Sequence, residues 1–357
     1  MNKEDRLLRI GVIGAGPISQ FAHFEACRRA RNIELYAICD IADDLLTRMS
    51  AIHQPRATYT DLDGMLADPL LEAVIIATSD AFHVPLATKA LGAGKHVFVE
   101  KPLGLEVEEC EELGRLASES GLVLQVGFNR RFDPALAFAA HFIQEEMGRP
   151  VVLNAWYCDS VFRYTMTDNL QAIPVLSANA RKPAEDPKSD KRRYFLLTHG
   201  SHLLDSARFL GGPIAAVQAR FQESAGSFIW SIAADFVSGC FGNLTLIVPA
   251  RGDFEEGFQL FGDGGSVQGK LNLPWYRKAG VIECFSAKDG VYRRPLGADA
   301  DSYKLQLEGF ADTILNSPPQ RGATVSDGIE NLRALVAVAR SVETGRQIRL
   351  DEVSGHV

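Results

Sequence analysis

Short apolar runs alternate with helix-like stretches through the first third of the chain. Arg9–Ile13 predicts a strand, a glycine turn follows, and the apolar spacing from Ile18 to Arg29 predicts a helix. Ile33–Cys39 and Val74–Thr78 predict two further buried strands, His83–Leu91 a helix, and His96–Val99 a fourth strand. Val107, Cys110, Leu113 and Ala117 recur on one face of a helix near Val107–Ser120, and Leu122–Phe128 predicts another strand. Strands separated by helical segments imply βαβ units in a parallel sheet. Near-continuous apolar strands imply a sheet covered on both faces.

The pattern changes after Phe128. A helix is predicted from Asp133 to Met147, stopped by Gly148, and a strand at Val151–Cys158. Asp159 to Arg193 is polar and rich in Pro, Lys and Asp, which reads as a long loop or insertion. A helix from Leu196 to Leu210 ends at Gly211-Gly212-Pro213. Strand-like runs follow at Ala216–Phe221, Phe228–Val237, Cys240–Val248, Gly257–Phe261 and Val281–Ser286, with a hairpin signal at Asp263-Gly264. Ser302–Asn316 predicts a helix, and Ile329, Leu332, Leu335, Val336, Ala339 and Val342 form the apolar face of another, ended by Gly345. The expected fold is α/β. A doubly wound parallel sheet occupies residues 1–128. An α+β domain with a large open, mostly antiparallel sheet occupies residues 129–357, its last helix packing back on the first domain.

Composition narrows the function. With 37 Lys and Arg against 45 Asp and Glu, the net charge of −8 argues against nucleic acid and an anionic membrane surface as partners. The charged start, Met1 to Arg9, fits no signal peptide, and no apolar run is long enough to span a bilayer, so the cytoplasm is the expected compartment. Six scattered cysteines without a CxxC pair read as small buried hydrophobes rather than a disulfide framework.

The first chemical signal is Gly14-Ala15-Gly16-Pro17-Ile18-Ser19 at the end of the first strand. Gly14 suits the tight turn, Gly16 lets backbone approach a pyrophosphate, and Ser19 is small enough for the third glycine's place. A helix opening near Pro17 offers free N–H groups and a positive dipole end to a phosphate. Asp40, closing the second strand, suits the adenosine ribose hydroxyls and repels a 2′-phosphate, so NAD is expected and NADP disfavoured. Asp40 also reads as a cap for the next helix, Asp43 included. Gly14, Gly16, Pro17, Ile18 and Asp40 are the expected cofactor contacts of this turn.

The most specific segment is Gly94-Lys95-His96-Val97-Phe98-Val99-Glu100-Lys101-Pro102-Leu103. With the glycine turn, Ile76–Thr78, His83, Val126–Phe132, Gly200–Asp205 and Ser341–Gly345, it resembles the glucose-fructose oxidoreductase / inositol dehydrogenase / rhizopine catabolism family (Gfo/Idh/MocA). The resemblance covers nearly the whole chain. It implies a Rossmann domain carrying NAD(P), a cis-like Glu-Lys-Pro turn and Lys101 at the hydride-transfer centre. It adds Thr78, His83, Glu100, Lys101 and Asn129 to the expected cofactor contacts, Glu100 also as a group that positions Lys101. Arg130 and Arg131 are expected to tie the two domains together. Independently, a partly desolvated lysine at the carboxyl edge of a parallel sheet can accept the proton of a carbinol, or polarise the ketone in reverse.

Thr198, His202 and Asp205 fall at i, i+4 and i+7 on one predicted helical face. Many members of the family carry D-x-x-x-H here; His202 matches the histidine, while Thr198 replaces the aspartate. His202 is expected as the catalytic partner of Lys101. Thr198 and His199 are expected to bind substrate beside them, and Asp205 to fix the histidine or a nearby arginine. A metal on His199, His202 and Asp205 is disfavoured, because hydride transfer requires none and no H-E-x-x-H occurs. Trp156, Tyr157, Arg163, Trp275 and Tyr276 could line a sugar pocket or equally belong to core or interface.

The expected activity is an NAD-dependent dehydrogenase acting on a secondary hydroxyl of a sugar, cyclitol or sugar derivative. A non-catalytic dinucleotide-binding regulator, and a glycosidase or epimerase that returns its hydride, are the alternatives. A homodimer or homotetramer is expected, because one face of an open antiparallel sheet otherwise lies bare.

Overall fold

The computed structural model of the chain describes residues 6–163, 173–184 and 188–357. These residues form two compact units. The first takes its residues from Met1–Phe128, Gln171–Ser189 and Tyr303–Ile329, the second from Asn129–Leu170, Asp190–Ser302 and Glu330–Val357.

In the first unit the chain alternates as its apolar pattern requires. Its elements are β1 (Leu8–Ile13), a π-turn (Ser19–His23) running into α1 (Phe24–Arg29), β2 (Ile33–Cys39), α2 (Asp43–His53), β3 (Ala57–Tyr59), α3 (Leu62–Leu66) and β4 (Ala73–Ile76). There follow α4 (His83–Gly92), β5 (His96–Val99), α5 (Val107–Ser120) and β6 (Leu124–Val126). Seven strands lie in the order β15-β6-β5-β4-β1-β2-β3, where β15 (Ala323–Thr324) is the late addition and pairs antiparallel with β6. The chain winds outward from β1 through β2 to β3, then returns to β4 on the other side of β1. The turn after β1 therefore sits where strand order reverses, the place where open α/β sheets bind ligands. Leu8, Ile10 and Val12 of β1 are fully buried, in one core with Phe24, Ile38, Ile75, Phe98 and Phe310, the last from α9 (Ser302–Asn316). On α5 the buried residues are Val107, Cys110, Leu113 and Ala117.

The second unit holds α6 (Pro134–Glu145), β7 (Pro150–Ser160), α7 (Lys191–Phe195), a second π-turn (Leu196–Gly200) and α8 (Ser201–Gly211). Its strands continue with β8 (Ile214–Ser224), β9 (Ser227–Phe236), β10 (Phe241–Ala250), β11 (Glu255–Gly262), β12 (Gly265–Leu271), β13 (Val281–Ser286), β14 (Val291–Arg293) and β16 (Ile348–Arg349). They make a nine-stranded sheet in the order β14-β13-β12-β11-β7-β10-β9-β8-β16, antiparallel except for the β7–β10 pair. Period-2 alternation sends Leu153, Ala155 and Tyr157 of β7 inward, where α8 packs on β7 and β10. The helix α10 (Val325–Thr344) begins in the first unit, continues in the second and ends at Gly345, whose φ of 68° is the left-handed stop expected there.

Two boundaries differ from the sequence reading. The loop expected from Asp159 begins later, because Asp159 and Ser160 complete β7, and it ends earlier, because Lys191–Phe195 is helical behind an Asp190 cap. Within it, residues 164–172 and 185–187 lie outside the described residues. All six cysteines are free, five of them buried. No helix among the described residues is long and apolar enough to cross a membrane.

Candidate functional site

Each unit presents one cluster of chemically capable side chains. In the first unit it starts at the turn after β1. Gly14 has φ 91°, and a Cβ there would lie 2.9 Å from the Ala77 carbonyl oxygen and from Thr78 Cγ2, so the fold itself requires glycine. Gly16 differs: a Cβ there would meet no atom within 4 Å. Nothing in the protein requires Gly16, whereas a dinucleotide pyrophosphate approaching this turn would. Ser19, fully buried, gives its hydroxyl to the Gly14 carbonyl, so it closes the turn as well as being small.

Asp40 ties this turn to the end of β2. Its Oδ2 accepts the Ala15 N–H at 2.7 Å and its Oδ1 the Ala42 N–H at 2.8 Å. It thus serves the start of α2 as well as the turn. Each carboxylate oxygen keeps a further lone pair, and the half-buried side chain still suits ribose hydroxyls. Pro17 is exposed and Ile18 half-buried beside the same turn. This cradle fits an NAD dinucleotide.

The cluster's other side is the turn closing β5. Lys101 precedes Pro102 through a cis peptide bond, and its N–H donates to Glu100 Oε2 at 3.2 Å. The buried Glu100 meets His23 Nε2 at 2.9 Å. Burial by itself would raise the Glu100 carboxyl. The hydrogen bond from His23, with the nearby Lys101 side chain, holds it below the ordinary carboxylate range. His23 is fully buried, its ring edge-on to Phe98 and Tyr303, and sequence reasoning missed it. Its only signal was a histidine in an otherwise apolar helix face.

His83 is corrected. Expected to touch the cofactor, it is 1% exposed, and its ring nitrogens face the carbonyl oxygens of Pro102 at 2.7 Å and Thr78 at 3.3 Å. It holds the Lys101–Pro102 turn and has no ring nitrogen to spare. Thr78 is half-buried beside Gly14.

In the second unit the cluster lies where β7 meets the helical run from Lys191 to Gly211. The second π-turn, at Leu196–Gly200, shifts the helical phase, so His199 rather than Thr198 joins His202 on the side turned to β7. His199 Nε2 donates to Asp159 Oδ2 at 3.0 Å, and His202 stacks flat on Tyr157 with ring centroids 5.8 Å apart. Thr198 Oγ1 donates to the Tyr194 carbonyl at 2.7 Å and lies 2.8 Å from His199 Nδ1. His199 and the Thr198 hydroxyl thus take part in hydrogen bonds inside the unit. Arg163 Nη1 also donates to Asp159 Oδ2, at 3.0 Å. Burial would raise the Asp159 carboxyl, but the His199 hydrogen bond and the Arg163 charge hold it low. Asp159 is the second side chain of these clusters that sequence reasoning missed, a carboxylate on the strand beside the helical run that carries Thr198.

Asp205 takes a two-pronged ion pair from Arg131, with Nε at 3.1 and 3.2 Å and Nη2 at 2.6 Å. Arg130 pairs with buried Glu256 and donates to the Asn272 carbonyl at 2.7 Å. All these partners belong to the second unit. Within the second unit the arginines anchor their own 3₁₀ turn, Asn129–Phe132. Asn129 is buried in that turn; its Nδ2 donates to Ser302 Oγ at 3.2 Å, and its Oδ1 has no partner among the described residues. Of the residues considered for a sugar pocket, Tyr157 and Arg163 join the Asp159 cluster, while Trp156 lies on the opposite face of β7, over Gly257. No group of three or more metal-ligating side chains is assembled among the described residues.

Comparison with known proteins agrees with this geometry. The profile of an oxidoreductase family with an NAD-binding Rossmann fold matches residues 8–128. A myo-inositol 2-dehydrogenase of Thermotoga maritima is 26% identical over 365 residues, covering 98% of this chain and all of that one. An NAD⁺-dependent scyllo-inositol 2-dehydrogenase of Bacillus subtilis is 28% identical over 297 residues, 80% of each chain. The fold is that of an NAD-binding oxidoreductase from Klebsiella pneumoniae, with a TM-score of 0.79, 21% identity, and coverage of 96% of this chain and 99% of that one.

Proposed function

This chain belongs to the Gfo/Idh/MocA oxidoreductase family, its NAD-binding Rossmann fold lying in residues 8–128, and on that premise we propose that it is a dehydrogenase of a secondary hydroxyl on a cyclitol, sugar or sugar derivative. The observation that carries the reading is the Lys101 turn, held from one side by the buried His23–Glu100 pair and from the other by His83. So much buried polar structure around one lysine costs stability unless the position of that amine matters. Relatives named for myo-inositol and scyllo-inositol support the substrate class.

When bound, NAD supplies the hydride acceptor. The residues of the first unit expected to hold it are Gly14, Gly16, Pro17, Ile18, Asp40, Thr78 and Glu100. Lys101 Nζ, as the neutral amine, takes the hydroxyl proton as the carbinol is oxidised; as the ammonium it returns that proton in the reverse direction. His202 is proposed as a second proton-handling group, and within its own unit Tyr157 fixes its ring plane. Asp159 and His199 stiffen the helix that carries it.

The test is NADH formation, followed by absorbance, across a panel of inositols, polyols and sugars. Turnover of a member of that panel is expected, and Lys101→Ala lowers it by roughly 10²–10⁴-fold while leaving NADH affinity nearly unchanged. Bound NADH with no turnover on any member would replace this reading by a regulator. The open sheet is further proposed to assemble with a second copy of the chain.

A further inference from the structure

The segment 173–184 comes from the long insertion in the middle of the sequence and packs as part of the first unit. Its attachment is built from side chains around the β1 turn. Gln20 lies one turn beyond Gly16. Its Nε2 donates to the Val175 carbonyl at 2.9 Å and its Oε1 accepts the Val175 N–H at 2.9 Å. That side-chain amide imitates one rung of a strand pair. The same Nε2 also donates to the Ala15 carbonyl at 2.8 Å, so one residue ties the segment to the glycine turn. Val175 and Ile18 both pack on the core cluster behind that turn.

Two further contacts lie on either side. Ser177 donates to Asp44 Oδ1 at 2.7 Å in the first turn of α2, and its hydroxyl, helped by the Asn179 side chain, holds the Asp44 carboxyl below the ordinary range. The Arg181 guanidinium lies 5.0 Å over the Phe82 ring, in the stretch that follows β4. The three anchor points follow β1, β2 and β4, which are neighbours in the sheet. They border the crevice where an open α/β sheet receives the adenosine end of a dinucleotide, next to Asp40. Lys101 follows β5, beyond β4, so the anchors leave that edge of the sheet alone.

We propose that residues 173–181 are part of the cofactor site, a strap that closes the adenosine half of the bound dinucleotide so that NAD(H) leaves only after the Gln20–Val175 and Ser177–Asp44 contacts break. The inference rests on the dinucleotide reading and goes beyond it by assigning residues 173–181 a binding role. The strap is tethered to the protein, not to a particular phosphate or base, so its main effect is on the dissociation rate.

The experiment is stopped-flow release of NADH, followed by nicotinamide fluorescence during displacement with excess NAD⁺. It compares wild type with Gln20→Ala, Ser177→Ala and a chain in which residues 174–182 are replaced by a short Gly-Ser link. Release is expected to quicken about tenfold in Gln20→Ala, which loses two hydrogen bonds to the strap, and by at least as much in the short-link chain, with association changing far less. The short-link chain keeps Gln20 on the glycine turn, so it separates loss of the strap from damage to the turn. Release within twofold of wild type in the short-link chain overturns the proposal, and so does tighter NADH binding there, since the strap would then be blocking the site. A wild-type chain with no NADH signal at all removes the dinucleotide reading, and the strap with it.

Discussion

Asp159 Oδ2 accepts the Nε2 proton of His199 at 3.0 Å, joining the end of β7 to the helix that carries His202. The pair is buried, and Arg163 donates to the same oxygen. The contact fixes the height of one helical turn against the strand. Tyr157, two residues earlier on β7, meets His199 edge-on and His202 face-on, so the strand positions both imidazoles together.

Replacing the carboxylate therefore disturbs stability and the His202 geometry at once. Asp159→Asn is expected to lose on the order of 3 kcal/mol, the usual cost of removing one member of a buried charged pair, measured by urea unfolding at pH 7. The sign with pH follows from the lowered Asp159 carboxyl. Its ionised form contributes fully above the ordinary value of 3.8 and is lost as the pH falls through the lower value set by the fold. The stability gap between wild type and Asp159→Asn should stay wide at pH 5 and close only below pH 3.8. A gap that closes by pH 5 would show the pair is not ionic.

His23 and Glu100 make a second buried pair, beneath the Lys101 turn. His23→Leu removes the N–H that the buried carboxylate accepts and should cost on the order of 3 kcal/mol at pH 7. Burial, the largest influence on Glu100, then acts with its main opposition gone and lifts the carboxyl above its ordinary 4.5. A group raised on folding stabilises more as the pH falls, so the variant should gain stability between pH 7 and pH 5 where wild type does not. The double variant His23→Leu/Glu100→Leu should be less damaging than the two single losses added together. Urea midpoints of all four chains at the two pH values check both statements.

Much of the fold was legible because its signals are local. Runs such as Ile33–Cys39 and His96–Val99 are mostly apolar and flanked by turns, and both strands are observed at those bounds. The strand β3 was not, since Ala57-Thr58-Tyr59 is three residues long, lies at the sheet edge and buries none of them fully. In the candidate site, the glycine turn and Lys101 stand out from sequence, but the groups that hold them in place do not. His23 and Glu100 are 77 residues apart, Asp159 and His199 are 40 apart, and no periodicity links either pair. The π-turn at Leu196–Gly200 also has no composition signature, so counting 3.6 residues per turn selected Thr198 where the fold turns His199 toward β7.

The outer face of the nine-stranded sheet carries an apolar strip. Val152 pairs with Phe241 on one side and Phe261 on the other, and the two phenylalanines are 45% and 44% exposed. Solvent on such a patch is unfavourable, and a twofold axis across it would bury it against itself. Sedimentation velocity should show a dimer or larger assembly for wild type, and Phe241→Glu with Phe261→Glu should shift it to the monomer without loss of secondary structure. A monomeric wild type would remove the assembly.

The two glycines of the β1 turn should fail in opposite ways when replaced by alanine. At Gly14 the backbone sits at φ 91°, and the new methyl would lie 2.9 Å from a carbonyl oxygen of the chain's own Ala77. Strain of this kind costs roughly 1–2 kcal/mol before the clash is counted, so Gly14→Ala should lower the urea midpoint and weaken NADH binding through damage to the turn. At Gly16 the methyl meets no protein atom within 4 Å, and stability should stay within about 0.5 kcal/mol of wild type. Any loss of NADH affinity in Gly16→Ala must then come from the ligand side of the turn, where the added methyl stands in the path of the pyrophosphate. A tenfold or greater rise in the NADH dissociation constant at unchanged stability is expected by fluorescence titration. Unchanged affinity would mean that the pyrophosphate does not cross Gly16, and the dinucleotide would have to lie elsewhere along the sheet edge.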